Sequence, residues 1–576
     1  MPSNNASSAP ESPVIPKAQE NPWYIRHFIK LLIGFGLGGG AVAILLPWML
    51  WFFCGMSSGS SDQLRLHLLY VTGGIIAVLT LLQTNWKNQG DRLKIDADIK
   101  KNEQDAKNEA AKREQDAVKS ERDHTRQVHA ERRSRYTKAV EQLADEKATV
   151  RLGGIYTLVG LVDEWLSDDA LDPEEQQKEG QVIINNLCSY IRSPFPLAEK
   201  IEEYEARKAL ENLQKLESEK LDEEVSSLLQ SLLKRFKDSD GYEKSKDITA
   251  DYAKFHEEQD VRRTIFVEMS KRSSTFTMNE KDEIIETISG MWSDFNFDFS
   301  RAPVFYPLNA ITIEKGNFSS TKFYSNADFS EAKFTQTADF SKTTFAQTAD
   351  FSGAKFTQRA DFSWATFAQN AYFNWAKFTH TVYFSGAKFT QTVYFSGAKF
   401  TGTAYFRLAK FFETAEFGGV KFTQITDFSE AKFFQTAAFG KAKFTQKADF
   451  SKAKFTQTAD FRGAIFFQNA NFSRATFEKY SPRFAATTHG VSGEAYRARF
   501  AVLSEKQPAH DFAVREGSRP ILLGETELGS IKYNLPTGTV LFDPDSWDEE
   551  KQEYTRVSEP AKPLDESNGA EENKPE

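Results

Sequence analysis

Apolar and polar positions along this chain fall into stretches of different period. Leu31 to Phe53 carries no charged residue, and Leu66 to Leu82 is a second apolar run. Each lies within the range that spans a bilayer. A short polar link around Ser57–Gln63 joins them, so the pattern predicts a membrane hairpin with spans at 28–55 and 66–83. The glycines Gly34, Gly36, Gly38, Gly39 and Gly40 lack the preceding strand and following Lys-Ser/Thr of a phosphate loop. Their spacing, Gly34-x-x-x-Gly38 and Gly36-x-x-x-Gly40, predicts close helix packing instead.

Beyond the spans the period becomes helical. Residues 84–133 are almost wholly charged and polar, with strong helix formers and Gly90 as the only glycine after Lys87. The heptad positions Ile95, Ile99, Ala106, Arg113 and Asp116 make a poor coiled-coil seam. A solvated helical stalk is expected, standing off ~70 Å at ~1.5 Å per residue. Self-association through it is a possible second role. In 134–197, Val140, Leu143, Ile155, Leu158, Val162 and Leu166 recur at helical spacing, Asp172-Pro173 interrupts, and Val182, Ile183, Leu187 and Ile191 follow. Residues 198–253 read as a charged insert of two helices, with Leu210, Leu213, Leu216 and Leu221 facing Leu228, Leu229, Leu232 and Leu233. Residues 254–300 read as a helical connector and solenoid entry, turning to strand alternation at Trp292-Ser-Asp-Phe-Asn-Phe-Asp-Phe-Ser300.

From Asn317 to Phe477 the chain repeats every 11 residues, with Phe recurring in alternate steps of five and six. Phe329, Phe334, Phe340, Phe345, Phe351 and Phe356 are successive members of this series. A small residue, usually Ala, stands two places before each. A closed coil of 11 residues cannot hold two rings per layer, since its contour is ~36 Å. Two copies predict a four-sided coil of 22 residues with four inward Phe. Coils stacking at ~4.8 Å make a rod of ~36 Å.

The unit of a small residue, a polar residue, a central Phe and two more polar residues resembles the pentapeptide-repeat family. A pentapeptide such as Ala349–Gly353 alternates here with a hexapeptide such as Ala354–Arg359. The resemblance implies a right-handed quadrilateral β-solenoid over 301–480. The runs Arg135-Tyr-Thr-Lys-Ala-Val-Glu-Gln-Leu143, Val150-Arg-Leu-Gly-Gly-Ile-Tyr-Thr-Leu158 and Leu187-Cys-Ser-Tyr-Ile-Arg192 resemble the helical module that precedes the repeats in many bacterial members. It implies no catalytic residues. Some members mimic DNA and bind type II topoisomerases, which implies a second reading, topoisomerase binding or antibiotic protection. A signalling or enzymatic role from the helical module is a third.

Composition sharpens this picture. Of 50 Phe, 30 fall in the ladder. Two Cys exclude a disulfide framework and a Cys-based zinc site. The eight His do not cluster, no nucleophile elbow or kinase signature occurs, and no cofactor or metal is expected. Asn317-Phe-Ser and Asn471-Phe-Ser match the glycosylation sequon but lie inside the repeat. Residues 318–478 hold 15 Lys and 4 Arg against 12 Asp and Glu, a net of +7, which argues against a DNA mimic. Mixed with acidic columns, it argues equally against nucleic-acid binding. Lys17, Arg26 and Lys30 precede the first span, and Lys87, Arg92, Lys94, Lys100 and Lys101 follow the second. This bias predicts that both termini face the cytoplasm, and the resemblance implies the plasma membrane of a bacterium.

The outward residues carry what remains. Lys precedes the hexapeptide Phe in 11 of 15 copies, and an acid precedes the pentapeptide Phe in 8 of 15, columns expected to deter aggregation. Four consecutive copies carry Tyr372, Tyr383, Tyr394 and Tyr405 there, and Trp364 and Trp375 lie in adjoining copies. These six are the candidate partner surface, although a 22-residue coil divides the four Tyr between opposite faces. The remaining segments are a disordered tail (1–27), a C-terminal cap (481–543) and an acidic disordered tail (544–576). The expected protein is a multi-domain α + β, non-enzymatic membrane scaffold that presents a rigid solenoid to a protein partner.

Overall fold

The computed structural model describes residues 20–215, 223–238, 248–279, 284–485, 496–504, 509–551 and 553–564. The chain forms two compact units, Met1–Arg126 and Gln127–Glu576. The first contains α1 (Trp23–Arg26), within the segment expected to be a disordered tail, and α2 (Phe28–Cys54). α3 (Ser58–Leu143) begins directly after Gly55–Ser57, so the link between the apolar runs is shorter than Ser57–Gln63. Both helices are long and apolar enough to cross a membrane, by length and composition. They meet at Gly39, where an added Cβ would lie 2.3 Å from Thr72 Cγ2. Gly34, Gly36, Gly38 and Gly40 have open space beside them, so the expected glycine pairs do not make this contact. Ser61 Oγ donates to Pro47 O at 3.2 Å and ties the two helices together further along. α3 then runs without a break, and every residue from Lys87 to His124 is exposed. Within the first unit the second span and the stalk are thus one continuous helix.

In the second unit α4 (Ala148–Leu166), α5 (Pro173–Arg192) and α8 (Ile248–Lys271) pack around Ile155, Leu158, Val162, Ile184, Leu187 and Ile265. Asp172 Oδ1 accepts from Glu175 N at 2.9 Å, and Pro173 supplies the first helical turn, which explains why the chain breaks and restarts there. α6 (Ile201–Lys215) and α7 (Glu223–Lys237) pack against each other, while Leu216 and Leu221 lie outside the described residues. After α8 comes an antiparallel hairpin, β1 (Thr275–Met278) and β2 (Ile284–Ile288), where only a helical connector was expected.

The solenoid has four parallel sheets, here called faces 1 to 4 in the order the chain visits them. Face 1 runs from Asn296–Asp298 to Ala470–Asn471, and face 2 from Pro303–Val304 to Thr476–Phe477. Face 3 runs from Ala327–Asp328 to Ala459–Asp460, and face 4 from Thr312–Ile313 to Val540–Phe542. Pairing is in register at 22 residues, as in Ala338 with Ala360 and Phe345 with Phe367. Each coil therefore has four sides and 22 residues. Rings 22 apart stack nearly parallel at 4.5 to 5.1 Å, as in Phe334–Phe356 and Phe389–Phe411. Pentapeptide rings from faces 1 and 3 also meet edge to face, as in Phe340–Phe351 at 5.6 Å and 85°. Both arrangements suit the ring quadrupole. Phe329, Phe334, Phe340, Phe345, Phe351 and Phe356 are all buried in these stacks. At two positions where Thr replaces the small Ala, its hydroxyl bonds the preceding coil: Thr321 Oγ1 donates to Phe299 O at 2.9 Å and Thr343 Oγ1 to Phe318 O at 2.8 Å.

The rod is longer than 301–480. Before the repeat, Phe299, Val304 and Ile313 fill the ring positions and their strands pair with later coils. After it, Phe484 stacks on Phe461 at 5.2 Å and Phe500 on Phe466 at 5.0 Å. Arg499–Ala501 and Val540–Phe542 extend face 4. The 11-residue period fails at both ends although the backbone path continues. Nor is 544–564 a disordered tail: Trp547–Asp548 pairs with Glu553–Tyr554, and Tyr554 packs on Phe542 at 4.4 Å. The aromatics in that acidic stretch give it something to bury.

The helical module caps the first coil. An open coil edge exposes unpaired backbone groups. Gln181 satisfies both at Asn296, donating to its O at 2.9 Å and accepting from its N at 3.0 Å. Arg192 donates to Asp298 O at 2.6 Å, Gln259 to Phe305 O at 2.8 Å, and Ser270 Oγ accepts from Thr312 N at 2.8 Å. Phe266 of α8 lies over Phe299 at 4.6 Å and continues the aromatic stack.

Candidate functional site

Inward positions are filled by Phe and Ala, so any recognition surface lies on the outward residues beside them. In a strand, successive side chains alternate sides, and the residue before each Phe therefore points out. On faces 1 and 3 that residue is usually Asp, and it has a local task. Asp328 Oδ1 accepts from Ser330 N at 3.0 Å, and Asp339, Asp350, Asp361, Asp427, Asp449 and Asp460 bind the N–H two residues on in the same way. These are Asx turns, which shape the corner that follows. The acidic columns are thus corner devices as well as surface charge. The Asp-Phe-Ser sequence carried that signal. Burial alone would raise the Asp449 carboxyl, but hydrogen bonds from Lys447 and Ser451 hold it below the usual range.

The corner itself needs a left-handed residue. From Ser320 to Arg474, the residue two after each pentapeptide Phe has φ between 55° and 72°. Glycine fills five of these fifteen corners, at 353, 386, 397, 419 and 463. Ordinary side chains there cost roughly 1–2 kcal/mol each, and a bulky one is unusual. Trp364 and Trp375 occupy two such corners, with φ of 62° and 60°. Each indole lies on the glycine one coil further on. A Cβ added to Gly386 would sit 2.7 Å from Trp364 Cε3, and one added to Gly397 would sit 2.7 Å from Trp375 Cε3. The two indoles remain 57% and 68% exposed, so one ring face is covered and the other open.

The four Tyr fall on two faces. Tyr372 and Tyr394 stack on face 3 at 5.0 Å, and Tyr383 and Tyr405 stack on face 1 at 5.1 Å. Trp364 sits at the corner between faces 1 and 2, and Trp375 at the corner between faces 3 and 4. The structure thus divides the six aromatic candidates into two groups of three, and neither Trp forms a ring pair with a Tyr among the described residues. All four Tyr are half-buried. Neither Tyr nor Glu416 at this position serves as an Asx acceptor, so five successive corners between Asp361 and Asp427 are built without it.

Faces 2 and 4 carry the Lys residues. On face 4, Lys333, Lys355, Lys377, Lys399, Lys421 and Lys443 form one unbroken in-register column. Face 2 carries Lys322, Lys388, Lys410, Lys432 and Lys454, with Thr at 344, 366 and 476 in the same register. Unit charges a coil apart repel by roughly 1 kcal/mol in water-like surroundings. Basic faces alternate with acidic or aromatic ones around the rod, a segregation that the net charge of +7 hides.

The polar residues of the helical module are engaged structurally. Arg272 pairs with Asp163 and Glu268 at 2.8 Å each, and Trp292 Nε1 donates to Asp163 Oδ1 at 2.9 Å. His129 Nε2 lies 2.9 Å from Asp168 Oδ2, which Arg132 also binds. Among the described residues, no three His, Cys, Asp or Glu side chains gather as a metal set.

Residues 318–363, 340–388, 351–398, 384–432 and 439–488 match the family model described as Pentapeptide repeats (9 copies). Neither a curated protein nor a solved structure matches the chain. Residues 318–488 of the rod, with a gap at 433–438, thus resemble pentapeptide repeats in which five- and six-residue units alternate, and the first coil, the module and the apolar helices lie outside that match.

Proposed function

We propose that this protein is a non-catalytic, membrane-anchored scaffold whose solenoid binds a protein partner through its middle coils. One observation carries the reading. From Tyr372 to Glu416 the chain lacks the Asx acceptor in five successive corners, four of them with Tyr in its place, and between Asp361 and Glu416 it places Trp in two left-handed ones. Local rules broken together in one segment mark a functional surface more often than a structural one. What replaces the turn residues is aromatic, rigidly seated and partly exposed, the kind of side chain that concentrates binding energy.

The test uses a variant that restores the local rule. Changing Tyr372, Tyr383, Tyr394 and Tyr405 together to Asp rebuilds four Asx turns, so thermal stability is expected to hold or rise. Cross-linking in intact membranes followed by mass spectrometry is expected to recover a partner with the parent chain and to lose it with the variant. Undiminished recovery from a folded variant would remove the aromatic surface from the reading.

The two apolar helices support anchoring, and the Lys and Arg bias around them supports cytoplasmic termini; the bacterial plasma membrane follows from the family resemblance alone. Cys54, exposed at the end of α2, then lies outside the cell. A membrane-impermeant maleimide applied to intact cells is expected to label Cys54 alone. Cys188 stays silent because it is buried and its thiol is pushed up to about 12 by that burial. Labelling that appears only after permeabilisation, and disappears in Cys54→Ser, reverses the orientation.

A further inference from the structure

We infer that face 4 is a docking strip for an extended acidic peptide, an inference that rests on the reading of the solenoid as a protein-binding surface. The six-lysine column from Lys333 to Lys443 is followed in the same register by Ile465 and Arg499, so cationic side chains reach into the C-terminal coil. The fold does not require them, since Thr fills the matching register on face 2 at 344, 366 and 476. Two cavities open along the column. One, of about 310 Å³, is lined by Trp375 and Glu331 with Lys355, Lys377 and Lys399. The other, of about 260 Å³, is lined by Lys441, Lys443, Arg497 and Arg499. The first sets an apolar anchor and one carboxylate beside three ammonium groups, and the second gathers four cations; Lys377, Lys399 and Arg497 already have partners, for which a peptide carboxylate would compete.

The shape of the strip selects the ligand. Face 4 is one two-residue strand wide, and the faces on either side carry acids. Asp339, Asp361, Asp427 and Asp449 line face 1, and Asp328, Asp350, Glu416 and Asp460 line face 3, with the four Tyr between them at the middle coils. A nucleic-acid duplex or a flat anionic membrane would overlie those borders and meet like charge. A single extended chain with repeated carboxylates fits between them. Its side chains on one side recur at ~6.7 Å against ~4.8 Å for the coils. The flexible lysine stems can take up that difference. Such a strip steers its partner electrostatically, so binding should weaken with salt.

The test uses the full chain in nanodiscs of neutral lipid. The probe is a fluorescein-labelled alternating Glu-Ser peptide of about 10 residues, long enough when extended to cover the column. Its Gln-Ser counterpart, an oligothymidylate and phosphatidylserine vesicles are the comparisons. The Glu-Ser peptide is expected to bind about tenfold more tightly than the Gln-Ser peptide, and to weaken as salt rises from roughly 50 to 500 mM. Changing Lys355, Lys399 and Lys421 to Gln should weaken it about tenfold, whereas changing Lys388, Lys410 and Lys432 on face 2 to Gln should change it less than about twofold. Circular dichroism confirms that both sets fold, and the single Trp375→Ala variant provides an uncharged check on the first cavity. Equal loss from both lysine sets, or equal binding of oligothymidylate or vesicles, overturns the proposal. If the peptide fails to bind while the tyrosine variant still loses its cross-linked partner, face 4 is wrong and the protein-binding reading stands. If both fail, that reading falls too.

Discussion

Replacing Phe384 with Ala is expected to destabilise the solenoid by about 3–5 kcal/mol. The ring is fully buried and stacks between Phe362 at 4.9 Å and Phe406 at 5.0 Å. The rings of Phe373 and Phe395 meet it edge to face at 5.3 and 5.5 Å. Those neighbours cannot collapse into the space left behind. Each belongs to a stack of its own, and the backbone is fixed by ladder bonds such as Phe384 N to Tyr405 O at 2.7 Å. A cavity whose walls cannot relax carries the larger cost. Phe384→Leu keeps most of the volume and should cost much less. Because each coil touches only its neighbours, the damage should be local. Hydrogen exchange is expected to rise most at amides 362–406, with the unfolding midpoint in guanidinium shifted accordingly. Phe484, at the end of its stack and 4% exposed, should cost less as Ala, since only Phe461 stacks on it from within the repeat. A loss below about 1 kcal/mol at Phe384 would mean that the ring ladder does not hold the coil together.

The ladder was legible in the sequence because one residue type recurs at one spacing and only one closed path accommodates it. The ends were not. Val304, Ile313, Phe484 and Phe500 occupy ring positions without the flanking Ala-Asp or Ala-Lys, and the spacing between them is irregular. Backbone pairing continues where the side-chain period has lapsed, and a period search cannot follow it. The same limit hid the cap. Gln181, Arg192 and Gln259 look like ordinary helix surface until the first coil is placed against them. The candidate surface was half legible. The four Tyr and their division between two faces follow from the 22-residue coil, and the structure adds their stacking. That Trp364 and Trp375 stand in left-handed corners over glycines depends on φ at one position in eleven, which the sequence suggests only through the glycines that share it. The Asx turns were readable from Asp-Phe-Ser, and reading them turns the four Tyr from a tolerated substitution into a costly one.

Replacing Arg262 with Met is expected to cost about 3–5 kcal/mol, despite the similar reach of the two side chains. Arg262 is 1% exposed and donates to Glu258 at 2.6 Å. It also donates to Ile191 O at 2.9 Å and to Ser193 O at 3.1 Å. Those carbonyls lie at the end of α5, where a helix has no internal partners left to offer. The guanidinium therefore caps α5 from α8 while its plane faces the rings of Tyr190 and Phe305, each at 5.5 Å. Methionine would leave two buried carbonyls unpaired and leave Glu258 to Arg151, at 3.2 Å, and the Tyr190 hydroxyl. Burial, then the nearby Glu258 charge, raises the Tyr190 phenol, so it stays protonated and remains a donor to that carboxylate. Lysine should not rescue the site, because one ammonium cannot reproduce the planar fork. A double-mutant cycle with Glu258→Gln measures how much of the Arg262→Met loss belongs to the Arg262–Glu258 pair, since Arg151 still holds Glu258 at 3.2 Å in the single variant. The consequence should reach the solenoid. α5 and α8 together satisfy the open edge of the first coil, so loosening their junction should raise hydrogen exchange across 296–313 and promote edge-to-edge association. A variant within about 1 kcal/mol of the parent would show that Arg262 is not what joins the helices. Exchange that rises in α8 but not in 296–313 would show that the module does not cap the coil.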